Sequence, residues 1–340
     1  MILTKNMKYS SLIDGKNILI TGGTGSFGHQ LVKEISNLSP KKVVIFSRDE
    51  DKQHNMKQSI KNQPISKKIS FVIGDVRDYE RFYSISKDMD IILHAAALKQ
   101  VPSVELYPYE AVKTNIIGAH NVVRAAVARK VKHVIAISTD KAVKPVNAMG
   151  MTKALQEKIM ISDDFQKDGT KFSCVRYGNV LGSRGSVIPL WDLKIEKNQP
   201  LPVTHPDMTR FMLTLSEAIH VVFYALKNTK GGEIFVKKAP AAKIVELAKV
   251  YAELKSKKKN YPVEYVGIRA GEKIHEVLVS QEEKRHATEE KNHFIIHKEN
   301  EFDTKSIKNL DTLEEYGSNT GPLLTKSDLK KLMKDLAWLP

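Results

Sequence analysis

The stretch KNILITGGTGSFGHQLVKEI, residues 16–35, decides the fold of this chain. KNILIT is a short apolar run typical of a buried strand, and the residues after the glycines repeat their apolar positions at helical spacing. Strand, glycine turn and helix in this order indicate a dinucleotide-binding unit, because glycine lets backbone N–H groups and the helix N-terminus approach a pyrophosphate. The predicted contacts in this turn are Thr21, Gly22, Thr24, Gly25, Ser26, Phe27 and Gly28.

The same alternation continues through KKVVIF, ISFVIG, DIILHAAA, KHVIAIS and KFSCVRYG, each separated from the next by a segment that can hold a helix. This pattern predicts an α/β fold with a Rossmann-type, doubly wound parallel sheet that binds ligands at the carboxyl ends of its strands. After about residue 178 the rhythm breaks into Gly-, Pro- and Asn-rich pieces. We therefore predict a Rossmann domain over residues 11–178, to which about residues 205–230 return. A smaller substrate-binding domain and the C-terminal tail cover residues 179–340, and the polar stretch 281–292 is the predicted flexible loop.

The chain has 340 residues, 41% of them hydrophobic, which is enough for one large α/β domain or two domains that share a cleft. No apolar run approaches the roughly 18 residues of a membrane span, and the N-terminus lacks the apolar stretch of a signal peptide. The single cysteine, Cys174, excludes an internal disulfide framework and fits a reducing compartment. The eleven histidines show no zinc-like spacing. We predict a cytoplasmic protein with no integral membrane segment and no metal.

The net charge of +15 is compatible with nucleic acid, an anionic membrane surface or phosphate-bearing small molecules. Much of this charge is lysine dispersed through polar stretches, such as Lys255, Lys257, Lys258 and Lys259, which is typical of a solvated surface. The chain carries no helix-turn-helix, zinc-finger or RNA-recognition signature. We therefore predict no nucleic-acid partner, although the charge alone decides little.

The end of the second strand selects the cofactor. A carboxylate there would hold the ribose hydroxyl of NAD, but IFSRDEDK gives Ser47 and Arg48 first, with Lys52 on the following turn. A guanidinium with a hydroxyl nearby suits a 2′-phosphate, so we predict NADP. Asp49 keeps NAD open as the less favoured alternative. GDVRD after the third strand brings Asp75 and Val76 to the expected adenine position.

Two further stretches follow strands at the edge where a nicotinamide is expected: HAAALKQVP, residues 94–102, and STDKAVKPVNAMGMTK, residues 138–153. With FSRDE, GDVRD, EAVKTNIIGAHNVV, RYGNVLGSRGSVIP, HPDMTRFMLTL and RAGEKIHE, they make nearly the whole chain resemble an extended short-chain dehydrogenase/reductase. More narrowly, the chain resembles the inverting UDP-N-acetylglucosamine 4,6-dehydratases. Met149 and the tail EYGSNTGPLLTKSDLKKLM are most similar to the soluble capsular-polysaccharide branch of that family. The resemblance implies a homo-oligomer, either a dimer or a hexamer.

The resemblance also implies the chemistry. Oxidation of the sugar at C4 makes the C5 proton acidic, and loss of the C6 hydroxyl then needs a base at C5 and an acid at O6. By resemblance Asp140 is the acid and Lys141 the base. Met149 stands where the superfamily has a tyrosine, and a thioether cannot accept a proton. Because acid–base help is worth roughly 10²–10⁴ in rate, we predict that Asp140, directly or through a water, also takes the C4 proton.

Lys153 matches the superfamily lysine that holds the nicotinamide ribose, and its charge is expected to lower the pKa of a neighbouring acid or water. The remaining cofactor contacts implied by the resemblance are Ala95, Ala96, Ala97, Asn115, Ser138, Lys153, Tyr177 and Gly178. The implied contacts with the UDP-sugar are Lys99, Asn179, Arg184, Ser186, Val187, Thr204, Met208, Arg210, Arg269 and Glu272. Guanidinium groups among them suit a diphosphate.

The predicted activity is therefore NADP-dependent 4,6-dehydration of UDP-N-acetylglucosamine with C5 inversion, for bacterial surface polysaccharide or glycan biosynthesis. Further epimerisation at C3 stays open. A retaining 4,6-dehydratase is an alternative, since methionine also occurs at this position in the membrane-anchored branch. A UDP-sugar 4-epimerase is another, although it has no need of the Asp140–Lys141 pair. From a different class, the chain could be a non-catalytic NADP-binding regulatory protein.

Overall fold

A computed structural model describes residues 9–166, 169–183, 186–298 and 313–335 of the chain. The strands, in chain order, are β1 Asn17–Thr21, β2 Lys42–Ser47, β3 Ile69–Ile73, β4 Ile91–His94, β5 His133–Ile137, β6 Lys171–Arg176, β7 Asn179–Val180, β8 Leu201–Val203, β9 Thr209–Leu213, β10 Ile234–Lys237, β11 Ala241–Lys243, β12 Val263–Tyr265, β13 Val277–Val279, β14 Ala287–Glu289, β15 His293–Ile296 and β16 Tyr316–Gly317.

The α-helices, in chain order, are α1 Ser10–Ile13, α2 Ser26–Ile35, α3 Glu50–Ile60, α4 Tyr79–Ile85, α5 Val101–Leu106, α6 Pro108–Ala111, α7 Gly118–Ala128, α8 Ala148–Met160, α9 Asp163–Gln166, α10 Val187–Glu196, α11 Leu215–Asn228, α12 Ile244–Ser256, α13 Gln281–Lys284 and α14 Lys326–Asp335. Short 3-10 helices span Pro64–Lys68 and Asp140–Ala142, and a π-helix spans Val112–Ile117. Within the described ranges, none of the helices combines the length and the apolar character needed to cross a bilayer.

The central sheet, within the described part of the chain, has nine strands in the order β14–β15–β10–β6–β5–β4–β1–β2–β3. The six runs read from the sequence form β1 to β6, which are parallel to their neighbours. Ile18 of β1, for example, pairs with Val43 of β2 on one side and Ile91 of β4 on the other. This confirms the predicted Rossmann-type sheet. The carboxyl ends of β1, β2, β4, β5 and β6 therefore meet along one edge.

The far edge of the sheet differs from the prediction. Strand β10 continues the parallel order beside β6, but β15 runs antiparallel to β10 and β14 antiparallel to β15. The polar stretch 281–292, predicted as a flexible loop, instead supplies α13 and β14. Ser280 and Glu283 cap α13 by exchanging hydrogen bonds, and Glu283 pairs with the buried guanidinium of Arg176 on β6. The polar side chains that indicated a loop are thus used in capping and ion pairing.

Most of the buried apolar residues that the structure describes belong to two hydrophobic cores. The larger core lies on the central sheet, whose apolar strand residues pack under two pairs of helices. Helices α2 and α11 contact each other, and so do α4 and α7. The smaller surrounds Trp191 of α10 and Tyr251 of α12, both fully buried, and includes Leu329 of α14. Helix α11 packs against β5, β6 and β10, so it belongs to the larger core although it follows residue 178. The domain boundaries themselves stay a prediction.

Candidate active site

A cavity of about 930 Å³ opens at the carboxyl edge of the parallel strands. Its inner wall is formed by the glycine turn after β1 and by the segments that follow β2, β4, β5 and β6. Its outer wall is formed by α10, β8 and residues 266–272. In doubly wound sheets this edge is where ligands bind, because the chain turns away from the sheet there and leaves a crevice.

The turn after β1 requires glycine at two positions. Gly22 has a φ of 63°, and a Cβ at this residue would lie 2.9 Å from the backbone of Ala96. A Cβ on Gly28 would lie 1.8 Å from the carbonyl oxygen of Gly23, so α2 packs directly onto the turn. The start of α2 therefore lies close to the turn that lines the cavity, a position that suits an anionic pyrophosphate. These residues fit a bound dinucleotide.

The cavity brings together most of the predicted cofactor contacts. Those that line it are Gly22, Thr24, Gly25, Ser26, Phe27, Ser47, Arg48, Lys52, Asp75, Val76, Ala95, Ala96, Ala97, Ser138, Lys153, Tyr177 and Gly178. The hydroxyl of Ser138 is buried and has no hydrogen-bond partner within the described ranges, so it is available to a ligand. A Cβ on Gly178 would lie 2.5 Å from the Cβ of Phe211, so this position has no room for a side chain. The cofactor roles of these residues stay predictions.

Three predicted cofactor contacts support the cavity from behind rather than line it. Gly28 packs α2 onto the turn. The hydroxyl of Thr21 forms a hydrogen bond of 2.8 Å with His94 Nδ1 and accepts one of 3.1 Å from the N–H of Ala96. Asn115 lies in the π-helix, where its side chain accepts from the N–H of Leu98 at 2.8 Å and donates to Thr152 Oγ1 at 3.0 Å. These three residues therefore position the loops that form the inner wall.

The cavity end near β2 carries the residues predicted to choose the cofactor. Arg48 is half exposed, and its Nη1 lies 3.4 Å from Oδ2 of Asp75. Ser47 Oγ accepts a hydrogen bond of 3.1 Å from Gln53, and Lys52 pairs with Asp49. Burial alone would raise the pKa of Asp75, but hydrogen bonds from Arg77 outweigh it and hold the pKa below its usual value. Arg48 is thus half exposed and only loosely paired.

Asp140 and Lys141 lie on the short 3-10 helix after β5 and both line the cavity. Asp140 is 1% exposed, and its Oδ1 accepts from Thr139 Oγ1 at 2.9 Å and from Lys141 Nζ at 3.0 Å. Its Oδ2 has no hydrogen-bond partner in the described part of the protein. One carboxylate oxygen is therefore held in place, and the other remains available for proton transfer.

Lys141 lies between two carboxylates. Besides Asp140, its Nζ contacts Oε1 of Glu276 at 3.1 Å. Burial alone would lower the pKa of Lys141, but the charges of Asp140 and Glu276 outweigh burial and raise it. The two carboxylates therefore favour the protonated form of Lys141, which must lose a proton before it can act as a base.

Met149 and Lys153 lie one turn apart on α8. Met149 is 4% exposed and packs on Val104 and Ala111 while lining the cavity, so it is both a core residue and a site residue. The Nζ of Lys153 donates to the carbonyl oxygen of Ile137 and to Oε1 of Gln156, each at 2.6 Å. Burial lowers the pKa of Lys153 to about 8. The lysine is therefore held in the cavity wall by groups that accept hydrogen bonds.

The predicted substrate contacts also meet in the cavity. Those that line it are Lys99, Asn179, Ser186, Val187, Thr204, Met208, Arg210, Arg269 and Glu272. Arg184 lies outside the described residues. Burial lowers the pKa of Lys99. Their substrate roles stay predictions.

Arg210 is less free for a diphosphate than the sequence suggested. Its guanidinium donates to the carbonyl oxygens of Thr209, Ile274 and Lys273 at 2.7 to 2.9 Å. Three of the five N–H donors of the guanidinium are thus used by backbone, which leaves two for a ligand. Arg210 therefore anchors the segment that carries Glu276 as much as it faces the cavity.

Sequence reasoning missed Glu276 and Gln156. Glu276 is the last residue of RAGEKIHE, and Gln156 follows Lys153 by one helical turn, but neither carries a local signal of a role. The contact of Glu276 with Lys141 becomes visible only once distant segments pack together, whereas Gln156 meets Lys153 within one turn of α8. Among the residues described, no cluster of three or more His, Cys, Asp or Glu side chains has the geometry of a metal site.

Comparison with known proteins defines the class. A family model described as polysaccharide biosynthesis protein matches residues 18–298. A protein named UDP-glucose 4-epimerase from Rickettsia bellii is 42% identical over 341 residues, covering 95% of this chain and 97% of its own. The solved structure of Pen from Bacillus thuringiensis superposes with a TM-score of 0.86 at 36% identity, covering 95% of this chain and 99% of Pen.

A more distant structure shows the fold alone. DesIV, a dTDP-glucose 4,6-dehydratase from Streptomyces venezuelae solved with NAD and TYD bound, has a TM-score of 0.68 at 19% identity, covering 76% of this chain and 86% of DesIV. The chain thus has the fold of a nucleotide-sugar dehydratase and is similar over nearly its whole length to a protein named as a nucleotide-sugar epimerase. It belongs to the polysaccharide biosynthesis protein family.

Proposed function

We propose that the protein is an NADP-dependent, C5-inverting 4,6-dehydratase of UDP-N-acetylglucosamine, which forms a UDP-2-acetamido-2,6-dideoxy-4-hexulose. The observation that carries this proposal is the adjacent pair Asp140 and Lys141 on the cavity wall, with their side chains 3.0 Å apart. Dehydration needs one acid and one base close together, whereas epimerisation at C4 leaves C5 and C6 untouched. The homo-oligomeric state and the cytoplasmic location stay predictions.

In this proposal the protein groups move protons around the sugar. A nicotinamide dinucleotide, when bound, would supply reversible hydride transfer, which would oxidise C4 first and reduce C6 last. Asp140 accepts the proton of the C4 hydroxyl at its unpaired Oδ2 and later delivers a proton to the leaving O6. Lys141, as the neutral amine, removes the C5 proton once C4 is a ketone. Met149 takes no proton and only shapes the cavity wall.

The choice of NADP is part of the proposal. Ser47, Arg48 and Lys52 lie together at the β2 end of the cavity, and Arg48 is half exposed, which suits a 2′-phosphate. NAD is the alternative, because it is the cofactor named with the DesIV structure.

A second candidate is a UDP-glucose 4-epimerase, and it is favoured by the name of the Rickettsia bellii relative. The two reactions share oxidation at C4 and differ in what happens next. An epimerase returns the hydrogen to C4 from the other face, so C5 keeps its original proton. A retaining dehydratase differs from the proposed enzyme in the final C5 configuration alone.

The deciding experiment is incubation with UDP-N-acetylglucosamine in D₂O, followed by NMR of the product. The expected product is a 4-keto-6-deoxy sugar with deuterium at an inverted C5, formed without net accumulation of NADPH. Lys141→Ala should form enzyme-bound reduced cofactor on mixing but no product. Lys144→Ala, an exposed lysine paired with Glu315, serves as the matched control and should behave as the wild type.

Each other outcome identifies a different protein. A product epimerised at C4 with no deuterium at C5 indicates the epimerase, and substrate tests with UDP-glucose then follow. A dehydrated product with retained C5 configuration indicates the retaining enzyme. Stoichiometric NADPH indicates a simple sugar dehydrogenase, and absence of turnover with every UDP-sugar supports a non-catalytic protein.

A further inference from the structure

Glu276 lies behind Lys141 as seen from the cavity. The cavity lining, taken over the described residues, includes Asp140 and Lys141 but not Glu276, which is 2% exposed. The Lys141 ammonium lies 3.0 Å from Asp140 Oδ1 and 3.1 Å from Glu276 Oε1. Glu276 thus contacts the predicted base without contacting the space where a substrate would bind.

The backbone of Glu276 is fixed at the start of β13. Its N–H donates to Ser318 Oγ at 3.0 Å, and its carbonyl accepts from the N–H of Ser318 at 2.7 Å. Its Oε2 is buried and has no hydrogen-bond partner within the described ranges. A fixed carboxylate with one uncommitted oxygen beside a lysine is suited to hold a proton.

Four charged groups face this carboxylate. Asp140 and Lys141 come from the 3-10 helix after β5, Arg210 Nε from β9 lies 3.8 Å from Oε1, and Lys273 Nζ lies 3.9 Å from Oε2. Lys273 Nζ also donates to the carbonyl of Val143 at 2.6 Å. Burial and the charge of Asp140 outweigh the nearby cations and raise the pKa of Glu276.

We propose that Glu276 is a positioning residue that holds Lys141 beside Asp140 and takes up its ammonium proton, so that the amine can remove the C5 proton. This inference rests on the proposed dehydratase function. The N–H bond of Lys141 breaks as an O–H bond forms on Glu276, and the freed lone pair of nitrogen then accepts the C5 proton. The electron pair of the C5–H bond moves to C5–C6 as O6 leaves with a proton from Asp140.

The proton count closes over the cycle. After elimination, Lys141 is again an ammonium ion and Glu276 carries one extra proton, which is released to solvent. C5 takes up one proton from solvent on its opposite face, so release and uptake balance. Without Glu276, Lys141 lacks the neighbouring carboxylate that can take its proton and must instead lose the proton to bulk water before every turnover.

The test is Glu276→Gln, which keeps the shape of the side chain but cannot hold the proton. Deuterium exchange at C5 in D₂O, measured with UDP-N-acetylglucosamine between pH 6 and 9, should fall at least about 10²-fold at neutral pH. The exchange rate of the variant should then rise about tenfold for each unit of increasing pH, since Lys141 must now lose its proton to solvent. The C4 step, followed as transient reduced-cofactor absorbance, and the KM for the substrate should stay as in the wild type. Glu315→Gln, which removes a surface carboxylate paired with Lys144, is the matched control.

Two results overturn the inference: an exchange rate and pH profile like those of the wild type, or equal slowing of the C4 and C5 steps. If the Glu276→Gln variant does not fold, Glu276→Asp is the variant that tests the inference. It keeps the charge but withdraws the carboxylate, so C5 exchange should slow while the C4 step and the shape of the pH profile are kept. If the wild type itself incorporates no deuterium at C5, the proposed dehydratase function is wrong. If the wild type incorporates deuterium and Glu276→Gln does so at the same rate, only the proposed role of Glu276 is wrong.

Discussion

The hydroxyl of Thr21 and Nδ1 of His94 lie 2.8 Å apart and join the carboxyl ends of β1 and β4. The same hydroxyl accepts a hydrogen bond of 3.1 Å from the N–H of Ala96, which fixes the loop beside the glycine turn. His94 is completely buried, and its Nε2 has no hydrogen-bond partner within the described residues. Burial, with a smaller contribution from the positive charge of Lys153, lowers the pKa of His94 to about 3. His94 is therefore a neutral, structural imidazole.

This predicts a specific acid instability. The unfolded chain protonates His94 near its ordinary pKa of 6.5, whereas the folded chain does so only at about 3, so stability is lost as pH falls between these values. The contribution lost amounts to about 5 kcal/mol at most. The pH slope of the unfolding free energy gives the number of protons taken up on unfolding. Urea titrations between pH 4 and 7 should show that this number is smaller by one in His94→Gln. His54→Gln, on exposed α3, should keep the wild-type slope, and equal slopes in all three proteins would contradict the prediction.

Arg48→Ala tests the choice of cofactor. If Arg48 binds a 2′-phosphate, the change should weaken NADP⁺ binding by about 1.5–3 kcal/mol, the range for a charged hydrogen bond, and affect NAD⁺ much less. Calorimetric titration with both dinucleotides measures the difference. Arg124→Ala, which removes a guanidinium stacked on Tyr79, should leave both affinities unchanged. Equal losses of NADP⁺ and NAD⁺ affinity in Arg48→Ala would mean that Arg48 does not bind the 2′-phosphate.

Asp140→Asn and Met149→Ala separate proton transfer from packing. Asp140→Asn should lose roughly 10²–10⁴ in turnover, because the amide cannot accept or deliver a proton. Met149→Ala should retain measurable turnover but lose about 2–5 kcal/mol of stability, since its side chain packs on Val104 and Ala111. Product formation and urea unfolding measure the two effects. If Asp140→Asn still forms reduced cofactor on mixing at the wild-type rate, another group takes the C4 proton.

Met149→Tyr supplies the phenol that the superfamily has one turn before its lysine. The hydroxyl would enter the cavity near Lys153, whose positive charge favours the phenolate. We expect this variant to raise turnover and to make Asp140→Asn tolerable. Met149→Phe adds the same ring without the hydroxyl and is the matched control. A gain shared by the tyrosine and phenylalanine variants would show that the ring, and not the proton acceptor, is responsible.

Arg176→Met tests the ion pairs that hold the far edge of the sheet. The guanidinium is 1% exposed, and its Nη2 lies 2.6 Å from Glu157 Oε2 and 2.8 Å from Glu283 Oε1. Removing the cation leaves the buried carboxylate of Glu157 and the partly buried carboxylate of Glu283 without it, which should cost about 3–5 kcal/mol of unfolding free energy. Lys132→Met breaks an exposed pair with Asp90 and should cost no more than about 1 kcal/mol. Similar costs for both variants would show that Arg176 is not the anchor of α13.

The sequence by itself determined the parts of this protein that depend on neighbours along the chain. An apolar run, a glycine turn and a helical repeat specify β1, the turn and α2, because strand burial, the left-handed φ of Gly22 and helix periodicity are local properties. Five further runs specified β2 to β6 in the same way, and parallel order then follows from the connecting helices. Most of the predicted site residues stand at the ends of those strands, which is why the cavity brings them together.

Tertiary structure alone decided the rest. The antiparallel pairing of β15 with β10, the ion pair of Glu283 with Arg176, and the contact of Glu276 with Lys141 all join segments far apart in the chain. Short polar segments carry no periodic signal, so their structure depends on the partner that satisfies their charges. The protonation of Lys141 likewise depends on two carboxylates and on burial, since the interaction of charges varies with distance and surroundings rather than with order in the sequence.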